Sequence, residues 1–342
     1  MLSRWVSLGL VAVTVAGGYA VSLLPAERPV VSSGLRALPA DTEIAGVTDW
    51  QQVRDEVGVD DVLEESYARD LSAASVLAGS AEAMAEPYGW SVHTVRWEAL
   101  GQSSEGAVAV AQLADDVAVG TVRSSLDELG YQRPSRADGV WAGGEDLVAS
   151  IDPTLTPLLG YVVVRDDGRV VLSDREGYAR EAAAVLDGDA RSFAQTGGVT
   201  TLASDLRDAL VTSVYAPARG CATMGFEDAG AEDQALAARR TEAVGGIRSH
   251  RGVGIALVPG EDSVDLLLAM HFAEPPSGEA DKRAELATGE APAQGGTFEE
   301  RFSVESADTR GSDVVLRMHP RERDAQLLSD LGHGAFLPAS CG

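Results

Sequence analysis

A chain of 342 residues, 45% hydrophobic and 23% charged, has the composition of a folded globular protein with room for one or two cores. Its 53 acidic against 27 basic residues leave a formal net charge of -26, which opposes phosphate backbones and argues against nucleic acid as a partner. Lys282 is the single lysine, so nearly all the positive charge is arginine.

The first element is the uncharged run from Trp5 to Leu24, "WVSLGLVAVTVAGGYAVSLL", long enough to cross a bilayer as a helix. Arg4 stands on its upstream side, which predicts a cytoplasmic N-terminus over residues 1–4, a signal-anchor helix over 5–24 and an extracytoplasmic remainder. Cleavage after Gly18-Tyr19-Ala20 is the rival, and would make the protein secreted; the apolar run continuing through Val21, Leu23 and Leu24 favours the retained anchor. Residues 25–38, with Pro25, Pro29, Ser32, Ser33 and Gly34, read as a linker.

Folding is expected to begin at "LPADTEIAGVTDW", with a strand over residues 44–47, and two helices are expected between Trp50 and Ala85. The segments "HTVRWEAL" and "GAVAVAQL" predict two strands across a polar turn. "DDVAVGTVRSSLDELGY" follows as a helix with Val119, Val122, Leu126 and Leu129 on one side. The strand "GVWAG" and the hairpin "GYVVVRDDGRVVLSD" precede another helix. A two-residue turn at Asp167-Gly168 would pair Val164 with Val171 and Val163 with Leu172.

Beyond "ARSFAQTGGVTT" a similar order of elements returns. A strand at "VTSVYAP" and a helix at "AEDQALAARRTEAVGG" lead to a hairpin turning at Pro259 to Asp262. A helix near "GEADKRAELATG", a strand pair and a closing helix at "RERDAQLLSDLG" complete the series. The expected fold class is α+β: the transmembrane helix, then two similar domains over 39–194 and 198–342, each an antiparallel sheet with helices on one face, related by an internal duplication.

"LPADTEIAGVTDW", preceded by one apolar helix, resembles exported or membrane-anchored envelope proteins of high-GC Gram-positive bacteria. The resemblance covers the anchor and the start of the ectodomain, and it implies an envelope location but assigns no catalytic or binding residue.

No Gly-x-Ser-x-Gly elbow, phosphate loop or His-Glu-x-x-His motif is present, and "RGVGIAL" lacks the third glycine of a dinucleotide fingerprint. No catalytic residue and no cofactor are therefore assigned. Acidic pairs such as Glu64/Glu65 and Glu232/Asp233 suit helix starts and solvation. Trp50, Trp90, Trp97 and Trp141 all fall in the first half and are expected in its core. Of the five histidines, His250 and His271 would face each other if Val258 pairs with Ser263, making them the candidates for a metal site, although no third ligand is evident and solvent-exposed side chains are the simpler outcome.

Cys221 and Cys341 are the only cysteines; outside the cytoplasm an even count argues for a disulfide. It would close a loop of about 120 residues, worth ~4–5 kcal/mol in the chain-entropy model. The function expected from these features is non-enzymatic binding or scaffolding at the cell envelope, with an unknown envelope protein or small ligand as partner. Two alternatives remain: a solute-binding protein with a ligand cleft between the domains, and an enzyme with dispersed site residues. A partner-binding protein should expose an apolar patch, whereas a solute binder or enzyme should show a concave site with convergent polar groups.

Overall fold

The computed structural model describes residues 29–58, 62–261, 263–331 and 334–342. The apolar run Trp5–Leu24 and His333 lie outside the described residues. Among those described, no helix is long and apolar enough to cross a membrane.

The first half contributes α1 (Val30–Ala37), β1 (Ile44–Thr48), α2 (Trp50–Val57), α3 (Val62–Ala68), α4 (Ala81–Ala85), β2 (Val95–Ser103), β3 (Gly106–Leu113), α5 (Val119–Glu128), β4 (Val140–Ala142), α6 (Gly144–Ile151), β5 (Tyr161–Val164), β6 (Arg169–Ser173) and α7 (Glu176–Asp187). The second contributes α8 (Val199–Asp205), β7 (Val211–Tyr215), α9 (Pro217–Met224), α10 (Ala231–Ala243), β8 (Gly252–Pro259), β9 (Val264–His271), α11 (Glu279–Leu286), β10 (Phe302–Arg310), β11 (Asp313–Pro320) and α12 (Leu327–Leu331). The class is α+β, and every strand pairing is antiparallel.

Two separate sheets were expected, but the strands form one sheet of eleven in the order β10-β11-β9-β8-β7-β1-β2-β3-β6-β5-β4. The join is the antiparallel pair β1 and β7, with Gly46 opposite Ser213. Each of these strands would otherwise leave a ladder edge unpaired, and pairing them removes both edges. Read outward from that join, the strand sequence is β1-β2-β3-β6-β5 on one wing and β7-β8-β9-β11-β10 on the other, with β4 added at the first wing's edge.

Helices cover both faces, not one. Val31 and Leu35 of α1, Tyr178 and Ala182 of α7, and Leu202 of α8 pack on the strand face that carries Val47, Val110, Val214 and Ala256. Trp50 of α2, Val122 of α5 and Leu286 of α11 pack on the opposite face, against Val211, Ile255 and Leu316. The cause is the alternation of strand side chains: where successive residues are all apolar, as in β3, β5 and β8, both faces must be buried.

Two glycines let the layers close at the centre. A Cβ on Gly34 would stand 2.9 Å from Val47 Cγ2, and one on Gly46 would stand 2.8 Å from the Ala74 carbonyl oxygen, on the other face.

Residues 25–38, expected as a linker, contain α1, and Val31, Leu35 and the Leu38 that follows the helix are 1% exposed or less. Their spacing is helical, but the intervening serines and glycine obscure it. The hairpin between β5 and β6 is one residue out of the expected register: Val163 pairs with Val171 and Val164 with Val170. Its loop is three residues, with the Gly168 N–H bonded to the Arg165 carbonyl and Gly168 at φ +81°, a turn followed by a left-handed residue rather than a two-residue turn. The β8–β9 hairpin is displaced by two residues, pairing Val258 with Asp265, so the apolar faces stay as expected while the end of the ladder changes. Among the described residues of the expected closing helix, Leu327–Leu331 alone is helical.

Candidate functional site

Cys221 and Cys341 are bonded, with Cα atoms 5.3 Å apart. Pro217, in the first turn of α9, starts that helix directly after β7 and carries Cys221 to the sheet's end. Cys341 follows a short turn at Leu337–Ala339, and Phe336 beneath it packs edge-on against Phe298 and Phe302. The disulfide is thus one of several fastenings on the segment 334–342.

Arg283, fully buried on α11, is the hub of the others. Its Nη1 donates to the carbonyls of Pro338 at 3.0 Å and Ser340 at 2.6 Å, and its Nη2 donates to the Arg248 carbonyl at 2.6 Å. Glu279, also buried, lies 3.5 Å from Nε and supplies the countercharge. Burial lowers the guanidinium pKa to about 10, opposed by Glu279, so the group stays cationic at neutral pH.

His250 is 2% exposed, and its Nε2 lies 2.9 Å from the Ala339 carbonyl oxygen, which can only accept; Nε2 therefore carries the proton. Its Nδ1 is buried with no hydrogen-bond partner. Burial is the main cause that lowers its pKa to about 4, the bond to Ala339 opposes this, and nearby Arg283 adds to it.

The expected pairing of His250 with His271 does not occur. With the ladder displaced by two residues, His271 stands opposite Gly252, and His250 lies beyond the end of β8. His271 Nδ1 instead bonds Asp313 Oδ1 at 2.6 Å, with Thr201 Oγ1 3.2 Å from the same nitrogen. A nucleophile–histidine–carboxylate relay needs its two partners on different ring nitrogens, so this cluster is not one. Asp205 beside it has a raised pKa, first from burial and then from the neighbouring Asp313, with Arg310 opposing.

A second pair of this kind bridges the same two strands, β9 and β11: His319 Nδ1 bonds Asp265 Oδ1 at 2.8 Å, and Arg317 Nε donates to Oδ2 at 2.6 Å. His319 is six residues along β11 from Asp313, roughly 20 Å at strand rise, so the two histidines cannot share an ion.

Glu98 is the polar group in the first wing that sequence reasoning missed. It is fully buried and accepts from Trp50 Nε1 at 3.1 Å, Ser75 Oγ at 2.6 Å, and the backbone amides of Val76 at 2.7 Å and Leu77 at 3.2 Å. Burial raises its pKa and these four bonds pull it back. One glutamate on the apolar face of "VRWEAL" was the available signal.

A concavity of about 910 Å³ opens where α1 meets the start of α2, the end of α7 and the residues after α8. Arg36, Arg96, Arg169 and Arg207 line it with Asp49, Asp115, Asp167 and Asp208. Three of the arginines pair with solvent-exposed carboxylates, Arg96 with Asp115 at 3.9 Å, Arg169 with Asp167, and Arg207 with Asp208 at 3.4 Å. Pairs so exposed hold their partners weakly. Trp97 lines this cleft, whereas Trp50, Trp90 and Trp141 are in the core as expected.

No family model and no curated protein matches the chain. Two solved structures of TP0453 are similar in outline. Crystal form I is 7% identical with a TM-score of 0.41, covering 87% of this chain and 97% of that one; crystal form III is 8% identical with a TM-score of 0.42, covering 87% and 98%.

Proposed function

We propose that the protein is a membrane-anchored, extracytoplasmic binding protein that takes a small polar, anionic ligand in the cleft at the start of α1. The cleft carries the reading: four guanidiniums converge there against four carboxylates, in a chain whose net charge is -26. An anionic ligand exchanges places with the weakly held carboxylates without burying a new charge.

A docking scaffold needs an exposed apolar patch, and the one large hydrophobic side chain exposed among the described residues is Tyr67. The solute-binding alternative is therefore favoured over a scaffold. The disulfide supports an oxidising compartment. With Trp5–Leu24 as the anchor, the four residues between Leu24 and Pro29 let these two reach at most about 17 Å apart, which would hold the cleft close to the bilayer surface. The matching strand order of the wings supports descent from one duplicated unit.

The test is thermal unfolding of the full-length chain in detergent micelles against panels of anionic, neutral and cationic small molecules. Anionic compounds should raise the transition, and the double change Arg36→Glu, Arg207→Glu should abolish the rise. Equal responses to all three charge classes, or none, would contradict it. Recovery of the intact N-terminal peptide from membrane fractions checks the anchor.

A further inference from the structure

The cluster at the end of the second wing contains a donor that the disulfide does not use. A ring nitrogen of His250 and the sulfurs of Cys221 and Cys341 lie within 4.8 Å of one another. Nε2 is fixed as a donor to Ala339, which leaves a lone pair on the buried, unpartnered Nδ1. A buried polar atom without a partner costs ~1–3 kcal/mol, and a ligand placed there would recover it. A hydrogen bond from one ring nitrogen to a carbonyl, which leaves the other for a metal, is also the arrangement that orients ligating histidines.

We propose that the reduced protein binds a thiophilic divalent metal ion, with Cys221, Cys341 and His250 as its three protein ligands, and that exchange with a small disulfide, which takes up the two electrons and is cleaved to thiols, reforms the Cys221–Cys341 bond and expels the ion. In the reducing step a dithiol breaks the S–S bond, supplies two electrons and two protons, and is itself oxidised to a disulfide. The ion then displaces both thiol protons to solvent and binds two thiolates and the neutral imidazole. Sulfurs bound tetrahedrally at about 2.3 Å from zinc sit roughly 3.8 Å apart, a small opening from a disulfide within one ligand cluster. A cavity of about 550 Å³ lined in part by Cys341 and Gly342 reaches one of the three ligands and would give the ion its entry.

Segment 334–342 keeps its position during this change, although its amides open more often once the S–S bond is broken, because Arg283 and Phe336 hold it independently of the sulfurs.

Anaerobic cobalt(II) titration of the full-length chain tests the site after reduction by a phosphine that is then removed. One equivalent should give sulfur-to-cobalt charge-transfer absorption with tetrahedral ligand-field bands. The oxidised protein should give neither, and a thiol oxidant should release the ion stoichiometrically. His250→Gln keeps a donor for the Ala339 carbonyl and loses the ligating lone pair; it should bind cobalt at least about tenfold more weakly, with native near-ultraviolet circular dichroism. Reduced wild type that shows no charge transfer at one equivalent, or that loses its native dichroism, would overturn the proposal. So would equal affinity in the glutamine variant. If that variant is unfolded, the cobalt complex of the reduced wild type decides: a paramagnetically shifted, exchangeable imidazole N–H resonance supports the site, and a spectrum with thiolate signals alone contradicts it.

Discussion

Each wing fastens an irregular segment to its sheet with a buried ionisable side chain, an acceptor in the first and a donor in the second, and the loop lengths differ. In the first wing Glu98 gathers donors from Ser75, Val76 and Leu77, at most 23 residues away. In the second, Arg283 gathers carbonyls 35, 55 and 57 residues away, and the disulfide spans 120. Closing a longer loop costs more chain entropy, though slowly. The difference teaches that the short closure is held by hydrogen bonds alone, while the long ones combine a guanidinium, a histidine, an aromatic cluster and a covalent bond.

The comparison breaks most severely at Arg283. Arg283→Met leaves Glu279 and three carbonyls buried without their partner, and it should destabilise by ~3–5 kcal/mol in urea unfolding. Restoring charge balance with Glu279→Gln should recover part of that loss.

Next is the response to acid. The folded His250 pKa of about 4 lies below its ordinary 6.5, so its stabilising contribution is complete above pH 6.5 and is lost as pH falls toward 4. Over that window the loss is ~3 kcal/mol, and His250→Gln should flatten this part of the stability curve measured against pH.

A smaller effect is expected at Glu98, where Glu98→Gln keeps the shape and turns an amide toward one donor, costing ~1–3 kcal/mol. Here the pH dependence runs the other way. Burial raises the folded pKa, so the contribution is present in acid and declines as pH rises through that pKa; the variant's deficit should be largest at low pH and narrow above it. Parallel denaturant series at several pH values separate the two slopes.

Strand periodicity made most of the sheet legible, since β2, β3, β8, β9 and β11 alternate or run apolar over several residues. What it could not reveal was that β1 and β7 pair, because either strand would look the same at a sheet edge. Both hairpin registers were misjudged for a local reason: loop length depends on the backbone conformation of one or two residues, such as Gly168, that leave no periodic trace. That error joined His250 to His271 and hid the association of His250 with the cysteines. The cysteine pair itself followed from compartment and count. Glu98 and Arg283 were not singled out, since single charges in amphipathic segments become informative only when their partners, distant in sequence, are brought beside them.

The account's central claim is that the disulfide is one clasp among several on a single continuous sheet. Hydrogen exchange of the full-length protein before and after reduction tests it most directly. Exchange should rise in 335–342 and 217–224 and stay unchanged in β1, β7, β8 and β9, because Arg283 and the Phe336 cluster still hold the second wing together. Loss of protection across the whole second wing on reduction would contradict it.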